Sequence, residues 1–270
     1  MTFFHAIVIS MTIFEAVIFG VVQGLTEFLP VSSSGHLVLL HEFFGTTIHN
    51  LSFDVMLHLA TLLAVVVYFK KDIIHVVDVF KRMMMRQDVL HRERNLIVAL
   101  VIGTIPAGLL GALFASTIEG AFRSTISVSI ALIMGSILFV VAEKVSKRNK
   151  EITGKRGFFV GCFQALALIP GISRSGSTIS GGLILGFTRD DAVRFSFLLS
   201  IPIILGAGIV EVFLGDNAFV FNVPIIIGAC AAFISGLWAI HFLVKFLKGH
   251  TLMPFVWYRV VLALLLIFIF

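Results

Sequence analysis

The sequence predicts an all-α polytopic membrane protein: six transmembrane helices plus two re-entrant helical hairpins in an inverted-topology repeat. Three observations predict it. Of the 270 residues, 59% are hydrophobic and only 13% charged, too little charge to cover a soluble domain of that size. Several apolar stretches run about 19 to 22 residues, enough to cross a hydrocarbon core of roughly 30 Å. Two further apolar segments are broken by proline and serine where a span would be continuous.

The six spans are expected over residues 51–69, 95–115, 124–142, 193–214, 218–244 and 252–270. The loop 70–94 carries seven Lys/Arg against four acids, and the loop 144–156 carries six against one. Two spans separate these loops, so both fall on one side, and their basic excess makes that side cytoplasmic. Arg189, Arg194, Lys245 and Lys248 follow on the same side, whereas the opposite loops (around His49, 116–123 and 215–216) contain only Arg123. The net charge of +5 is therefore an orientation signal, and no nucleic-acid partner is expected. Cys162 and Cys230 sit in apolar stretches without metal spacing and read as packing residues. The N-terminus has no basic region followed by a small-residue cleavage site, so no removable signal is expected.

The broken segments do not fit as spans. Residues 158–169 and 176–187 are each too short to cross, and Pro170-Gly171 and a polar Ser-Arg-Ser run lie between them. A basic loop precedes them and Arg189 follows, so both ends lie on one side. A re-entrant hairpin satisfies that, provided protein or water surrounds its irregular tip. The first 45 residues read alike: an apolar helix to about Val22, a break at Pro30, and a short helix to Phe44; the first arm, about 20 residues, is also long enough to span. At a constant spacing of 141 positions Gly20 matches Gly161, Gln23 Gln164, Leu25 Leu166, Ser32 Ser173, Ser34 Ser175 and Gly35 Gly176. The chain then divides into a first repeat over 1–143, a basic cytoplasmic linker over 144–156 and a second repeat over 157–270. Each repeat is one hairpin plus three spans, and the odd number inverts the second. Such repeats place a polar site at the midplane, between the broken helices.

The first tip runs from Gln23 to His36 and contains Glu27, Ser32, Ser33 and Ser34; the second is Ser173-Arg174-Ser175-Gly176. Gln23 and Glu27, four apart, share a helix face, and so do Ser33 and His36, three apart. Ionisable groups within membrane-embedded segments mark function by default. Each serine cluster begins a helix, where it caps free N–H groups and where anions are attracted. Two helix N-termini and the Arg174 guanidinium describe a phosphate or diphosphate cradle.

Plainer readings cover other residues. Single serines in membrane helices often bond the preceding turn or glue helices together. His5, His41 and His49 read as solvated, Asp54 and His58 as an interior contact, Glu15 and Glu211 as paired acids, and Gln164 as helix–helix glue. Arg259, beside Trp257 and Tyr258, is expected to snorkel to the cytoplasmic interface, with a substrate role as the lesser alternative. The set Glu27, Ser33, His36 and Arg174 is the part such readings explain poorly.

The stretches GVVQGLTEFLPVSSSGH over 20–36 and PGISRSGSTISGG over 170–182 resemble the two hallmark motifs of the bacterial undecaprenyl-diphosphate phosphatase (bacitracin-resistance) family. Residues 62–69, 195–199 and 254–259 are also similar, and the resemblance covers essentially the whole chain. It implies dephosphorylation of the C55 polyprenyl diphosphate carrier of cell-wall synthesis to the monophosphate. It also implies a divalent cation, and a site open to the outer face of the bacterial cytoplasmic membrane. Family members often carry Glu where this chain has Gln23; an amide brings no anionic charge, which leaves Glu27 as the metal-binding carboxylate.

The expected chemistry has Ser33 as nucleophile, His36 taking its proton, Glu27 orienting the imidazole and Arg174 clamping the phosphates. Gln23, Ser32, Ser34, Ser173 and Ser175 are expected to bind substrate. Mg²⁺ or Ca²⁺ is expected on Glu27 and the substrate's own oxygens. Phosphoryl transfer to His36 itself is the competing assignment. Partners are the polyprenyl diphosphate and membrane lipids; a homodimer is left open. A transporter or flippase of a polyprenyl phosphate is the alternative function, since inverted repeats with midplane ionisable residues suit transport.

Overall fold

The computed structural model describes residues 11–44, 51–122, 124–147, 149–214 and 222–269. Among these residues there are eleven α-helices and no strand. In chain order they are α1 (Ile13–Phe28), α2 (Ser33–Phe44), α3 (Leu51–Tyr68), α4 (Lys70–Met84), α5 (His91–Phe122), α6 (Thr125–Val145), α7 (Gly154–Leu166), α8 (Arg174–Ile184), α9 (Arg189–Leu214), α10 (Val223–Gly249) and α11 (Met253–Ile269). The fold is that of a polytopic, all-helical membrane protein. Stretches of α5, α6, α9 and α10 are long and apolar enough to cross a bilayer, and α3 with α4 forms a fifth candidate broken by a 79° bend. Helix α11 is apolar but shorter.

The helix ends follow local chemistry. Thr12 and Glu15 form a capping box at the start of α1, with Thr12 Oγ1 accepting from the Glu15 amide at 3.2 Å and Glu15 Oε2 accepting from the Thr12 amide at 2.7 Å. The helix ends at Phe28 because Leu29 precedes Pro30 and is extended. Its end lies beyond the Val22 expected from hydropathy, so Gln23 and Glu27 are both helical and face the interior.

Residues 70–94 are not a loop. Helix α4 fills 70–84, with Ile74, Val77, Phe80 and Met84 exposed along one side and Lys70, Lys71, Lys81 and Arg82 among its charges. Counting charges hides a two-faced helix that turns sharply off α3, of the kind that lies along an interface. At the end taken as cytoplasmic, Arg189 of α9 grips the Glu143 carboxylate of α6 with Nη1 and Nη2, and the Leu252 amide donates to the same carboxylate at 2.8 Å.

Helices α1 and α2 form one broken pair, α7 and α8 another. Each first arm packs by glycine on a helix of the opposite half: Gly20 of α1 faces the Gly228 carbonyl of α10, and Gly161 of α7 faces the Gly103 carbonyl of α5. A Cβ at Gly20 or Gly161 would overlap that oxygen, so only glycine permits the approach. The two tips are thereby brought to one place. The first ten residues and the loop around His49 lie outside the described residues, as do Arg123 and the start of the span expected from 218.

Candidate active site

The tips share an unusual backbone. Ser32 and Ser173, the residues just before α2 and α8, have φ of 74° and 75°, a left-handed conformation that costs a non-glycine residue energy and persists only where its surroundings fix it. Each caps the helix it precedes: Gly35 N–H donates to Ser32 Oγ at 3.4 Å and Gly176 N–H to Ser173 Oγ at 3.3 Å. In each tip the next-but-one hydroxyl closes on the first, Ser34 on Ser32 at 3.1 Å and Ser175 on Ser173 at 3.3 Å.

Ser34 and Ser175 also tie the tips together. Gly171 N–H donates to Ser34 Oγ at 3.2 Å, and Ser175 Oγ donates to the Leu29 carbonyl at 3.3 Å. Both serines are thus engaged in holding the opposite tip's backbone. Ser175 and Gln23 are wholly buried and lie behind the cavity wall.

Glu27 is the centre of the arrangement. Its Oε1 accepts from Arg174 Nη2 at 2.8 Å, and its Oε2 accepts from Ser33 Oγ at 2.9 Å and from Gln23 Nε2 at 3.1 Å. Glu27 and Arg174 are both largely buried, where a lone carboxylate or guanidinium would carry a heavy desolvation cost. Arg174 Nη1 is buried without a partner, so half of the guanidinium fork is left over.

These groups open on a cavity of about 460 Å³. Its polar end is formed by Glu27, Ser32, Ser33, Ser34, Ser173 and Arg174; Val38, Val55, Ile203 and Ile204 supply an apolar wall from α2, α3 and α9. Hydroxyls and a guanidinium beside apolar side chains suit an amphiphile with an anionic head.

His36 is placed differently from the expectation. Its Nδ1 lies 2.7 Å from the Ser32 carbonyl and its Nε2 2.6 Å from the Tyr258 hydroxyl, with the two rings stacked. It bonds neither Ser33 nor Glu27, because both ring nitrogens are taken, by the Ser32 carbonyl and the Tyr258 hydroxyl. The histidine beside Glu27 is His58, whose Nε2 stands 3.7 Å from Glu27 Oε2 while its Nδ1 meets the Asp54 carbonyl at 2.8 Å. Asp54 and His58, expected only as an interior contact, both line the cavity, with His41 and Glu211. The signal is their spacing of four on an apolar helix, but no pattern tells which element α3 will face. His41 is buried rather than solvated, 3.8 Å from Asp54. Gln164 is buried with neither side-chain amide atom hydrogen-bonded. Arg259 does not snorkel: it is wholly buried, reaching the Gly171 carbonyl at 2.9 Å. A chain of backbone carbonyls within reach holds it inside.

For a divalent cation, Glu27 is the carboxylate at the polar end, and Gln23 Oε1 is buried nearby with no donor. Among the described residues no three His, Cys, Asp or Glu side chains converge. The donor set fits an ion that takes most of its ligands from phosphate and water.

Residues 16–265 match the family described as Bacitracin resistance protein BacA. The "Undecaprenyl-diphosphatase" of Rubrobacter xylanophilus is 42% identical over 265 residues, covering 93% of this chain and 96% of that protein. That of Marinobacter nauticus is 42% identical over 260 residues, with 94% and 97% covered. "Undecaprenyl-diphosphatase 2" of Streptomyces avermitilis is 39% identical over 276 residues, with 95% and 94% covered. With the match running through both tips and every helix that positions them, the chain belongs to the bacitracin resistance protein BacA family.

Proposed function

We propose that this protein hydrolyses undecaprenyl (polyprenyl) diphosphate to the monophosphate and inorganic phosphate, recycling the lipid carrier of cell-wall synthesis and conferring bacitracin resistance. The observation that carries this is the Ser33–Glu27–Arg174 chain, which joins the two tips at the wall of the cavity.

Ser33 Oγ attacks the terminal phosphorus in line with the bridging oxygen, and the bond to that oxygen breaks to release the polyprenyl monophosphate. The proton of Ser33 passes to Glu27 Oε2, which already accepts its hydrogen bond. Water then attacks the phosphoserine, and inorganic phosphate leaves as the serine regains its proton. Arg174, with Nη1 unengaged, turns toward the non-bridging oxygens and stabilises charge as it develops. Ser32 and Ser173 complete the cradle; Gln23 steadies Glu27, and Ser34 and Ser175 keep the tips joined. His36 becomes a proton carrier only if its ring leaves Tyr258. A Mg²⁺ or Ca²⁺ ion would be held by Glu27 and substrate oxygens, with Gln23 steadying the carboxylate from behind, and when bound it supplies neutralisation of the diphosphate charge.

We further propose six spans and two re-entrant hairpins in two inverted repeats over 1–143 and 157–270, joined by the cytoplasmic linker 144–156. The matching backbone at Ser32 and Ser173 supports this reading. The first hairpin enters from the outer side of the cytoplasmic membrane and the site opens there. The lipid slides in laterally, its tail remaining against apolar residues.

Purified protein tests the activity: phosphate release from a polyprenyl diphosphate should fall by orders of magnitude in Ser33→Ala and Arg174→Ala. Release unchanged in these and in His36→Ala would reject the site. Movement of polyprenyl phosphate across vesicles without any release would favour the transporter.

A further inference from the structure

This inference rests on the phosphatase reading and concerns what holds the two tips in register. Arg259, on α11, is wholly buried behind the second tip. Its Nη2 donates to the Gly171 carbonyl at 2.9 Å and to the Leu132 carbonyl at 3.0 Å, and its Nε donates to Ser136 Oγ at 3.2 Å. The guanidinium also stands 4.9 Å from the centre of the Phe139 ring. Among the described residues no carboxylate pairs with it. A buried cation neutralised by no anion is costly, so its place must be secured by these carbonyls. Helix α6 makes room for it, because a Cβ at Gly135 would overlap the guanidinium.

What Arg259 grips is the turn that leads into the second tip. Gly171 has φ +103°, and a Cβ there would come within 2.6 Å of the Val128 carbonyl oxygen. Its N–H is held by Ser34 Oγ of the first tip at 3.2 Å. One residue is thus fixed from both sides, by the first tip through its amide and by Arg259 through its carbonyl. Two residues later comes Ser173, with its left-handed backbone, and then Arg174.

We propose that Arg259 is a positioning residue for phosphoryl transfer: through Gly171 it sets the Ser173-Arg174 loop against Ser33 and Glu27, without touching substrate. A guanidinium is needed because its planar fork reaches several carbonyls at once, whereas an ammonium is a point charge.

The test is steady-state hydrolysis of a polyprenyl diphosphate by purified full-length variants, with thermal melting measured alongside. Arg259→Lys keeps the charge and loses the fork. It should lower kcat roughly a hundredfold, the scale of a misplacement of about 1 Å, with KM within about threefold. Ser136→Ala, which removes one acceptor far from substrate, should lower kcat several-fold at unchanged KM. Adding Ser34→Ala to Arg259→Lys should cost less than the two single losses multiplied, since both act on Gly171. Should Arg259→Lys fail to fold, Ser136→Ala decides. A wild-type kcat in the folded variant, a change confined to KM, or a melting loss with unaltered turnover would overturn the proposal. Wild-type protein that releases no phosphate would sink the phosphatase reading instead, a result visible before any variant is made.

Discussion

The Glu27 carboxylate and the Arg174 guanidinium, 147 positions apart in the chain, meet at 2.8 Å. Neither tip has a compensated charge alone, and each supplies what the other needs to be buried. On the proposed mechanism the pair serves folding and chemistry together. Replacing Glu27 by Ala should destabilise the protein by about 3–5 kcal/mol, because it strands a buried guanidinium. The double variant Glu27→Ala/Arg174→Ala should melt higher than Glu27→Ala while remaining inactive. Thermal melting and phosphate release on the same samples check both halves.

Ser33 and the tip-joining serines should separate kinetically. Ser33→Ala removes the proposed nucleophile and should abolish the phosphoenzyme. Ser175→Ala loosens the bond to the Leu29 carbonyl and should cost about ten- to a thousandfold in kcat, the range for losing one organising hydrogen bond. Single-turnover kinetics with a labelled diphosphate distinguishes them: a phosphorylated species should form slowly in Ser175→Ala and not at all in Ser33→Ala.

Gln23 gives a test of the cation. Chelation should stop turnover and Mg²⁺ restore it. Gln23→Glu sets a second carboxylate beside Glu27 and should lower the Mg²⁺ concentration for half-maximal rate, roughly tenfold, the scale on which neighbouring groups tune metal sites. A titration unchanged by this substitution would remove position 23 from the cation's surroundings.

The glycine contacts between halves predict a stability effect remote from the chemistry. Gly161→Leu forces α7 away from the Gly103 carbonyl of α5 and should cost about 1–3 kcal/mol by overpacking. A melting temperature equal to wild type would show that α7 and α5 do not approach so closely.

Much of this is legible in the sequence because short patterns carry local physics. Serines followed by Gly35 and Gly176 announce helix starts, and spacing puts Gln23 and Glu27 on one face. Placement across the fold is another matter. No periodicity places Tyr258 against His36, 222 positions away, or turns His58 toward Glu27. Arg259 reads as an interfacial arginine because aromatic neighbours and a nearby helix end usually mean snorkelling; the carbonyls that keep it inside belong to α6 and to Gly171. Helix α4 is hidden for a related reason, since charge density marks the aqueous side but does not distinguish a loop from a helix lying along the surface.

The most direct test is a structure of the protein with a non-hydrolysable methylene diphosphonate carrying a long prenyl tail. The account predicts the terminal phosphonate between Ser33 Oγ and Arg174 Nη1, touched by both tips, with the tail along Val55, Ile203 and Ile204. A diphosphonate engaged by one tip alone, or bound away from Glu27, would contradict it.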